Sequence, residues 1–380
     1  MELPTPSAEA RAHSDRLVSH IRDRIARAGG WISFAEYMDL ALYAPELGYY
    51  TAGSRKLGPA GDFNTAPELT PLFGHTLAQQ VRQLFQEEGL HNILEVGAGS
   101  GALAAAILEE LEMQKVLPRH YFILELSPEL RARERDTLSR RIPQLMERIV
   151  WLNQLPPQFS GLVIGNEVLD AMPVEIVRRS AKGHYEQGGV NEDLQWAFRN
   201  TQGELLQAAE ELDLPENYLS EIPLIAHGFV HTLAQLLERG VLLFIDYGFP
   251  AREFYHPQRS RGTLMCHYRH RAHDDPFYLP GLQDITAHVD FTGVAQAGRA
   301  GGAQVSGYCA QAQLLINCGI TDLMLRTPPE DTAHYLPLAS AANKLLSPAE
   351  MGELFKAIAL TKGIGSPLLG FGSGDRSATL

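Results

Sequence analysis

The sequence predicts an α/β protein built on an open, doubly wound sheet, and three observations carry that prediction. Four short, almost continuous apolar runs, "HNILEVG", "RHYFILELS", "FSGLVIGNE" and "RGVLLFIDYG", have the composition of parallel strands buried on both faces. Helix-spaced segments at 101–114 and 128–141 follow the first two, which sets a β-α-β-α rhythm. Between the first strand and its helix lies "LEVGAGSGAL" (94–103), where Gly97, Gly99 and Gly101 make a tight turn. Sheets of this kind hold their ligands at the carboxyl ends of the strands.

The remaining elements follow in order. Residues 8–29 read as an amphipathic helix closed by Gly29 and Gly30. An aromatic, Gly/Pro-rich passage from Phe34 to Gly74 reads as loop with a short helix, too apolar for a disordered linker. The spacing of Leu77, Val81, Leu84 and Phe85 predicts a helix over 76–89. "VEIVRRSAKGHYEQGGV" predicts an antiparallel hairpin, and 204–213 and 218–238 read as helices, together an inserted subdomain. After residue 250 come a long histidine-bearing loop, the segment "AQVSGYCA", a helix at 311–317 and a late strand in "FKAIALTKG". The expected organisation is a helical cap and lid (1–90), a first core part (91–173), the insertion (174–238) and a second core part (239–380).

Composition narrows the class. Thirty-two basic against 45 acidic side chains give a net charge of −13, which opposes a nucleic-acid partner and favours a cationic ligand. Three cysteines without a CxxC pair exclude a disulfide framework or a zinc ribbon. His267, His270 and His273 have metal-like spacing, but Arg269 and Arg271 between them oppose a cation, and no metal is expected. No apolar run is long enough to cross a bilayer. The start, "MELPTPSAEARAHSD", has no apolar leader, and the arginines of the first helix alternate with Glu9, Asp15 and Asp23. A cytoplasmic location is therefore expected.

The glycine turn admits more than one ligand. Read as G-x-G-x-x-A, with Glu125 ending the next strand, it fits a dinucleotide; lacking Gly-Lys-Ser/Thr, it does not fit a triphosphate. Glu95 tips the balance. A carboxylate two residues before the turn gives an anionic pyrophosphate nothing, whereas a ligand bearing an ammonium and a sulfonium gains from it. A helix-capping or salt-bridging carboxylate is the plain alternative for Glu95.

Read as E-x-G-x-G-x-G, the turn resembles motif I of class I S-adenosylmethionine methyltransferases. The blocks "GDFNTAPELTPLFG" (61–74), "ELSPELRARE" (125–134), "GNEVLDAMPVE" (165–175), "FIDYG" (244–248) and "LQDITAHVDF" (282–291) occur in an order that resembles the MidA-like members of that class, from about Tyr37 to Lys362. The resemblance implies a Rossmann-like fold with a helical cap and an inserted subdomain, and S-adenosylmethionine as cofactor. It implies cofactor contacts from Gly61, Asp62 and Phe63 of a lid, and from Glu95, Gly97, Gly99, Gly101, Glu125, Leu126 and Asn166. Glu95 would hold the amino-acid end and Glu125 the ribose. The mitochondrial member of the family is an arginine methyltransferase that assists assembly of respiratory complex I. The expected acceptor is thus an arginine of a partner protein, a subunit of a respiratory or other complex.

"GNEVLDAMPVE" leaves the third strand with Glu167, Asp170 and Glu175 beside apolar neighbours, and these are the expected catalytic carboxylates. Two carboxylates suit a guanidinium, whose planar donors match bidentate acceptors and which stays protonated at any accessible pH. The alternative for Glu175 is a surface residue opening the hairpin. Asp246, Tyr247, His288 and Asp290 are expected to complete the acceptor site. Two other functions use the same features: a cofactor-binding assembly chaperone, and an NAD-linked oxidoreductase, which Glu95 disfavours.

Overall fold

The computed structural model describes residues 3–52 and 65–380. The described residues divide into two compact units, one of residues 65–168, 230–248 and 291–380, the other of residues 3–52, 169–229 and 249–290.

The first unit is the predicted α/β layer. Its strands are β1 (Asn92–Val96), β2 (His120–Leu124), β3 (Ile149–Leu152), β4 (Phe159–Asn166), β5 (Leu237–Phe249), β6 (Gln304–Ala310) and β7 (Phe355–Lys362), in the order β3-β2-β1-β4-β5-β7-β6. Strands β1 to β5 are parallel, and β7 runs antiparallel to both β5 and β6. The chain winds outward from β1 in one direction and from β4 in the other, so the switch point lies between them. That is where the turn after β1 and the segment after β4 both emerge.

Helices α1 (Pro71–Glu87), α2 (Ala102–Met113) and α3 (Pro128–Arg141) belong to this unit. Thr70 caps α1 by accepting from the Leu72 amide at 3.2 Å, and Pro71 at the first helical position needs no amide partner. Gly74 lets α1 and α2 close on each other: a Cβ there would stand 2.5 Å from the Ala106 methyl. The apolar runs bury Ile93, Leu94, Leu162, Ile164, Leu243 and Ile245 almost completely, as parallel strands covered on both faces require. The strand β3 escapes sequence reading. It is four residues long and mostly half-buried, so "IVWL" lacks the continuous burial that marks the others.

The second unit carries the helices Ala8–Arg27 and Phe34–Tyr43, capped by Ser7 and Ser33. Its main sheet is antiparallel: Trp31–Ser33, Tyr185–Asn191, Glu175–Arg179 and Tyr218–Ile222 in that order, with Trp196–Asn200 also on Tyr185–Asn191. The predicted hairpin is present, but it is zipped to a strand some 150 residues earlier in the chain. The helix expected over 218–238 is corrected. Tyr218–Ile222 is a strand against Glu175–Arg179, and the helix starts after Pro223, at Leu224. The loop expected after residue 250 contains a small sheet of Arg271–His273, Met265–Tyr268 and Asp284–Thr286. Gly189 is essential to the first pairing. A Cβ there would meet the Ile32 carbonyl oxygen at 2.2 Å and the Trp31 ring at 2.3 Å. Gly189→Ala is expected to part these strands and cost about 2–3 kcal/mol of stability, read as a lowered Tm in thermal unfolding; an unchanged Tm would refute it.

Candidate active site

All three glycines after β1 adopt left-handed backbone angles, φ +68° at Gly97, +60° at Gly99 and +79° at Gly101, a region costly for any side chain. The turn is fixed by its own hydrogen bonds: Gly97 N–H donates to the Leu124 carbonyl (3.2 Å) and Gly101 N–H to that of Ala98 (2.9 Å). Gly101 then caps α2, its carbonyl accepting from Ala105. Two of the glycines also make room for protein. A Cβ on Gly97 would stand 2.9 Å from Val168 Cγ2, and one on Gly101 would stand 3.2 Å from the Cα of Glu134. The turn is thus wedged between the segment after β4 and the helix α3.

Two acids flank it. Glu95 is buried within β1 and accepts a hydrogen bond from Tyr121 Oη at 2.6 Å; burial pushes its carboxyl up to about 7. Glu125, directly after β2, is buried too, and burial raises its carboxyl, against the pull of the Ser127 and Leu126 amides. The Ser127 amide sits at 2.8 Å from Glu125 Oε1 and fixes the carboxylate's orientation. Beside it Leu126 is 73 % exposed, an apolar surface at the strand end.

After β4 the chain makes a sharp turn. Glu167 has φ +53°, a strained angle for a residue with a side chain. Its amide donates to the Ile245 carbonyl (2.9 Å), and its Oε1 accepts from the Ala66 amide (3.2 Å) and from Asn166 Nδ2 (3.0 Å). The Asn166 Oδ1 is buried without a hydrogen-bond partner among the described residues. Asp246, at the end of β5 and 1 % exposed, receives the Val168 amide at 3.1 Å and the Tyr247 amide at 3.0 Å. Asp246 therefore holds Val168, and Val168 fills the space over Gly97. The Tyr247 ring stands edge-on to Phe355.

The structure gathers Glu95, Gly97, Gly99, Gly101, Glu125, Leu126, Asn166, Glu167, Asp246 and Tyr247 in one unit, on or directly after β1, β2, β4 and β5. Asp170, Glu175, His288 and Asp290 belong to the other. There Glu175 accepts from Ser33 Oγ (3.2 Å) and Gln187 Nε2 (2.9 Å), with burial raising its carboxyl. The backbone of Asp170 accepts from the Ala287 amide at 2.9 Å. The His288 ring stacks on Phe249 (5.3 Å between centroids), and Asp290 accepts from Tyr255 Oη at 3.3 Å. Gly61, Asp62 and Phe63 lie outside the described residues. Among the described residues no group of three His, Cys, Asp or Glu side chains is placed to hold a metal ion, and no helix is long and apolar enough to cross a membrane.

Sequence reading missed Glu134. On α3 it is fully buried, between Leu130 and Leu138 at four-residue spacing. That stripe was the available signal, hidden because the helix is otherwise charged all round.

A glycine turn at a switch point, with a carboxylate and an exposed leucine ending the next strand and an unpartnered buried amide oxygen across from it, fits an adenosine-bearing ligand with a polar amino-acid tail. The fold and these residues define a Rossmann-like methyltransferase of the class I type. Comparison with known proteins agrees. The profile of a family described as S-adenosyl-L-methionine-dependent methyltransferase matches residues 72–309. A protein from Burkholderia thailandensis, crystallised with S-adenosyl-homocysteine, is 48 % identical, with 100 % of each chain covered and a TM-score of 0.95. The mitochondrial protein arginine methyltransferase NDUFAF7 of Danio rerio is 26 % identical over 92 % of this chain and 88 % of its own. The NDUFAF7 homolog of Drosophila melanogaster is 26 % identical over 96 % and 89 %. The chain belongs to the MidA-like family of S-adenosylmethionine-dependent methyltransferases, and S-adenosylmethionine is its cofactor.

One expectation is overturned. The curated relatives are mitochondrial proteins, against the cytoplasmic location read from the amino-terminal residues. The physical reason is that the acid-interrupted charge pattern belongs to a folded helix burying Leu17, Ile21 and Ile25. It reports packing and carries no address.

Proposed function

We propose that this methyltransferase modifies an arginine side chain of a partner protein. The observation that carries the reading is Glu167, a carboxylate held at the end of β4 in a backbone conformation that its residue type disfavours. The arginine methyltransferases among its relatives support the choice of acceptor.

A guanidinium is protonated and planar, so it needs anionic acceptors to orient it before one terminal nitrogen can attack. Glu167 supplies one such acceptor. Asp246 and Tyr247, in the same unit, shape the acceptor's surroundings. The bound cofactor supplies an electrophilic methyl on a sulfonium; Gly97, Gly99, Gly101, Glu95, Glu125, Leu126 and Asn166 hold it. As the nitrogen is alkylated it loses a proton, which Glu167 accepts.

The test is incubation with isotopically labelled cofactor and lysate from a strain lacking the gene, followed by mass-spectrometric mapping. Label on arginine is expected; label only on lysine, or on no protein, would overturn the reading. Glu167→Gln keeps an oxygen for the Ala66 amide and removes the charge. It is expected to lower kcat about 100- to 1,000-fold while leaving S-adenosyl-homocysteine affinity within about twofold. A wild-type rate would remove Glu167 from this role.

A further inference from the structure

Around the glycine turn three buried carboxylates come from three elements, and Glu134 lies within electrostatic reach of the other two. Glu95 lies on β1 and Glu125 follows β2, while Glu134 comes from α3, whose backbone abuts Gly101. The register Glu95↔Ile123↔Trp151 sets Glu95 and Trp151 in one row across β1, β2 and β3. From that row the Trp151 indole N–H donates to Glu134 Oε2 at 2.7 Å. The other oxygen of Glu134, on a residue 0 % exposed, has no hydrogen-bond partner among the described residues. The charged and titratable groups acting here are Glu95, Tyr121, Glu125 and Arg131. Arg131 is turned to the Glu125 carbonyl (2.5 Å) and Asn153 Oδ1 (2.7 Å), and Arg135 covers the Trp151 ring at 4.8 Å. An unpaired carboxylate does not persist in such a place; a neutral acid does.

We propose that Glu134 is a specificity-determining residue that distinguishes the cationic methyl donor from its uncharged thioether product through a proton shared with Glu95 and Glu125. Binding of the sulfonium favours the ionised cluster, and a proton leaves to solvent. When the methyl has gone, the positive charge has gone with it, and the cluster takes a proton back. The donor thus binds more tightly relative to the product as pH rises through the cluster's range. Burial, with Glu125 and Glu95 adding to it, places Glu134 at about 8.

The inference rests on the donor lying over this turn. Calorimetric titrations of the purified protein with S-adenosylmethionine and with S-adenosyl-homocysteine, each in two buffers of different ionisation enthalpy between pH 6 and 9, count the protons exchanged. Wild type is expected to release more protons on binding the donor than on binding the product. In Glu134→Gln that difference shrinks by at least half, with both ligands still bound. The ligands' own ionisation cancels between the two proteins. Trp151→Phe, which removes the indole donor to Glu134, shifts the release to higher pH. An independent readout is stability. The contribution of neutral Glu134 is present below the ordinary carboxylate range and lost as pH rises through about 8. Glu134→Gln should therefore melt above wild type at pH 9 and level with it at pH 4. Equal proton counts in wild type and both variants would overturn the proposal. Unchanged affinity for both ligands in Glu125→Ala would instead remove the placement of the donor.

Discussion

Gly101→Ala is expected to lower affinity for S-adenosyl-homocysteine about 100-fold or more, equivalent to about 3 kcal/mol. Two costs act together. The left-handed angle of +79° costs an alanine about 1–2 kcal/mol. In addition, the new methyl would press on the Glu134 backbone at 3.2 Å and 3.4 Å, and a backbone cannot step aside by changing rotamer. The turn must rise off α3, costing about 1–3 kcal/mol more in stability and displacing the backbone proposed to receive the cofactor. Gly183→Ala is the control. Its φ is +76°, but nothing lies within 4 Å of the added methyl, so only the strain applies. Isothermal titration and thermal melts of both variants decide the matter; equal losses in the two would refute the steric argument.

Asp246→Ala is expected to reduce kcat about 100-fold through misplacement of the segment after β4. The carboxylate receives two amide protons, those of Val168 and Tyr247, and each orphaned amide costs about 1–3 kcal/mol when buried. Once Val168 is released, the left-handed angle at Glu167 has less to hold it, and the packing of Val168 over Gly97 loosens. Asp246→Asn is no rescue, because one amide proton would then face an N–H₂ group. Asp213, 87 % exposed and paired with Arg179, gives the comparison. Its alanine variant should change stability by no more than about 1 kcal/mol and leave kcat alone. Steady-state kinetics on a mapped acceptor would separate the two; a normal kcat in Asp246→Ala would sink the account.

The core was legible because parallel strands buried on both faces leave continuous apolar runs, and β1, β2, β4 and β5 were found from those runs alone. The strand β7 reads as a late strand in "FKAIALTKG", whereas β6, half exposed along its first residues, is not assigned from sequence. What escaped was structure that depends on distant pairing. Tyr218–Ile222 reads as part of a helix until Glu175–Arg179 is set beside it, and Trp31–Ser33 is too short to announce itself until Gly189 leaves room for it. At the site the glycines, Glu95, Glu125 and Glu167 were visible by type and spacing. Glu134 was not, since a glutamate in "RARERD" looks like its solvated neighbours.

By itself the sequence determined the class of protein: hydrophobic period and glycine spacing are local properties, and they dictate an α/β sheet with a ligand turn after its first core strand. Only the tertiary structure decided what each polar residue does. Whether a carboxylate is a solvated charge, an acceptor of backbone amides like Asp246, or a buried acid like Glu134 depends on desolvation and on partners brought from remote parts of the chain, and neither is encoded in its immediate neighbours.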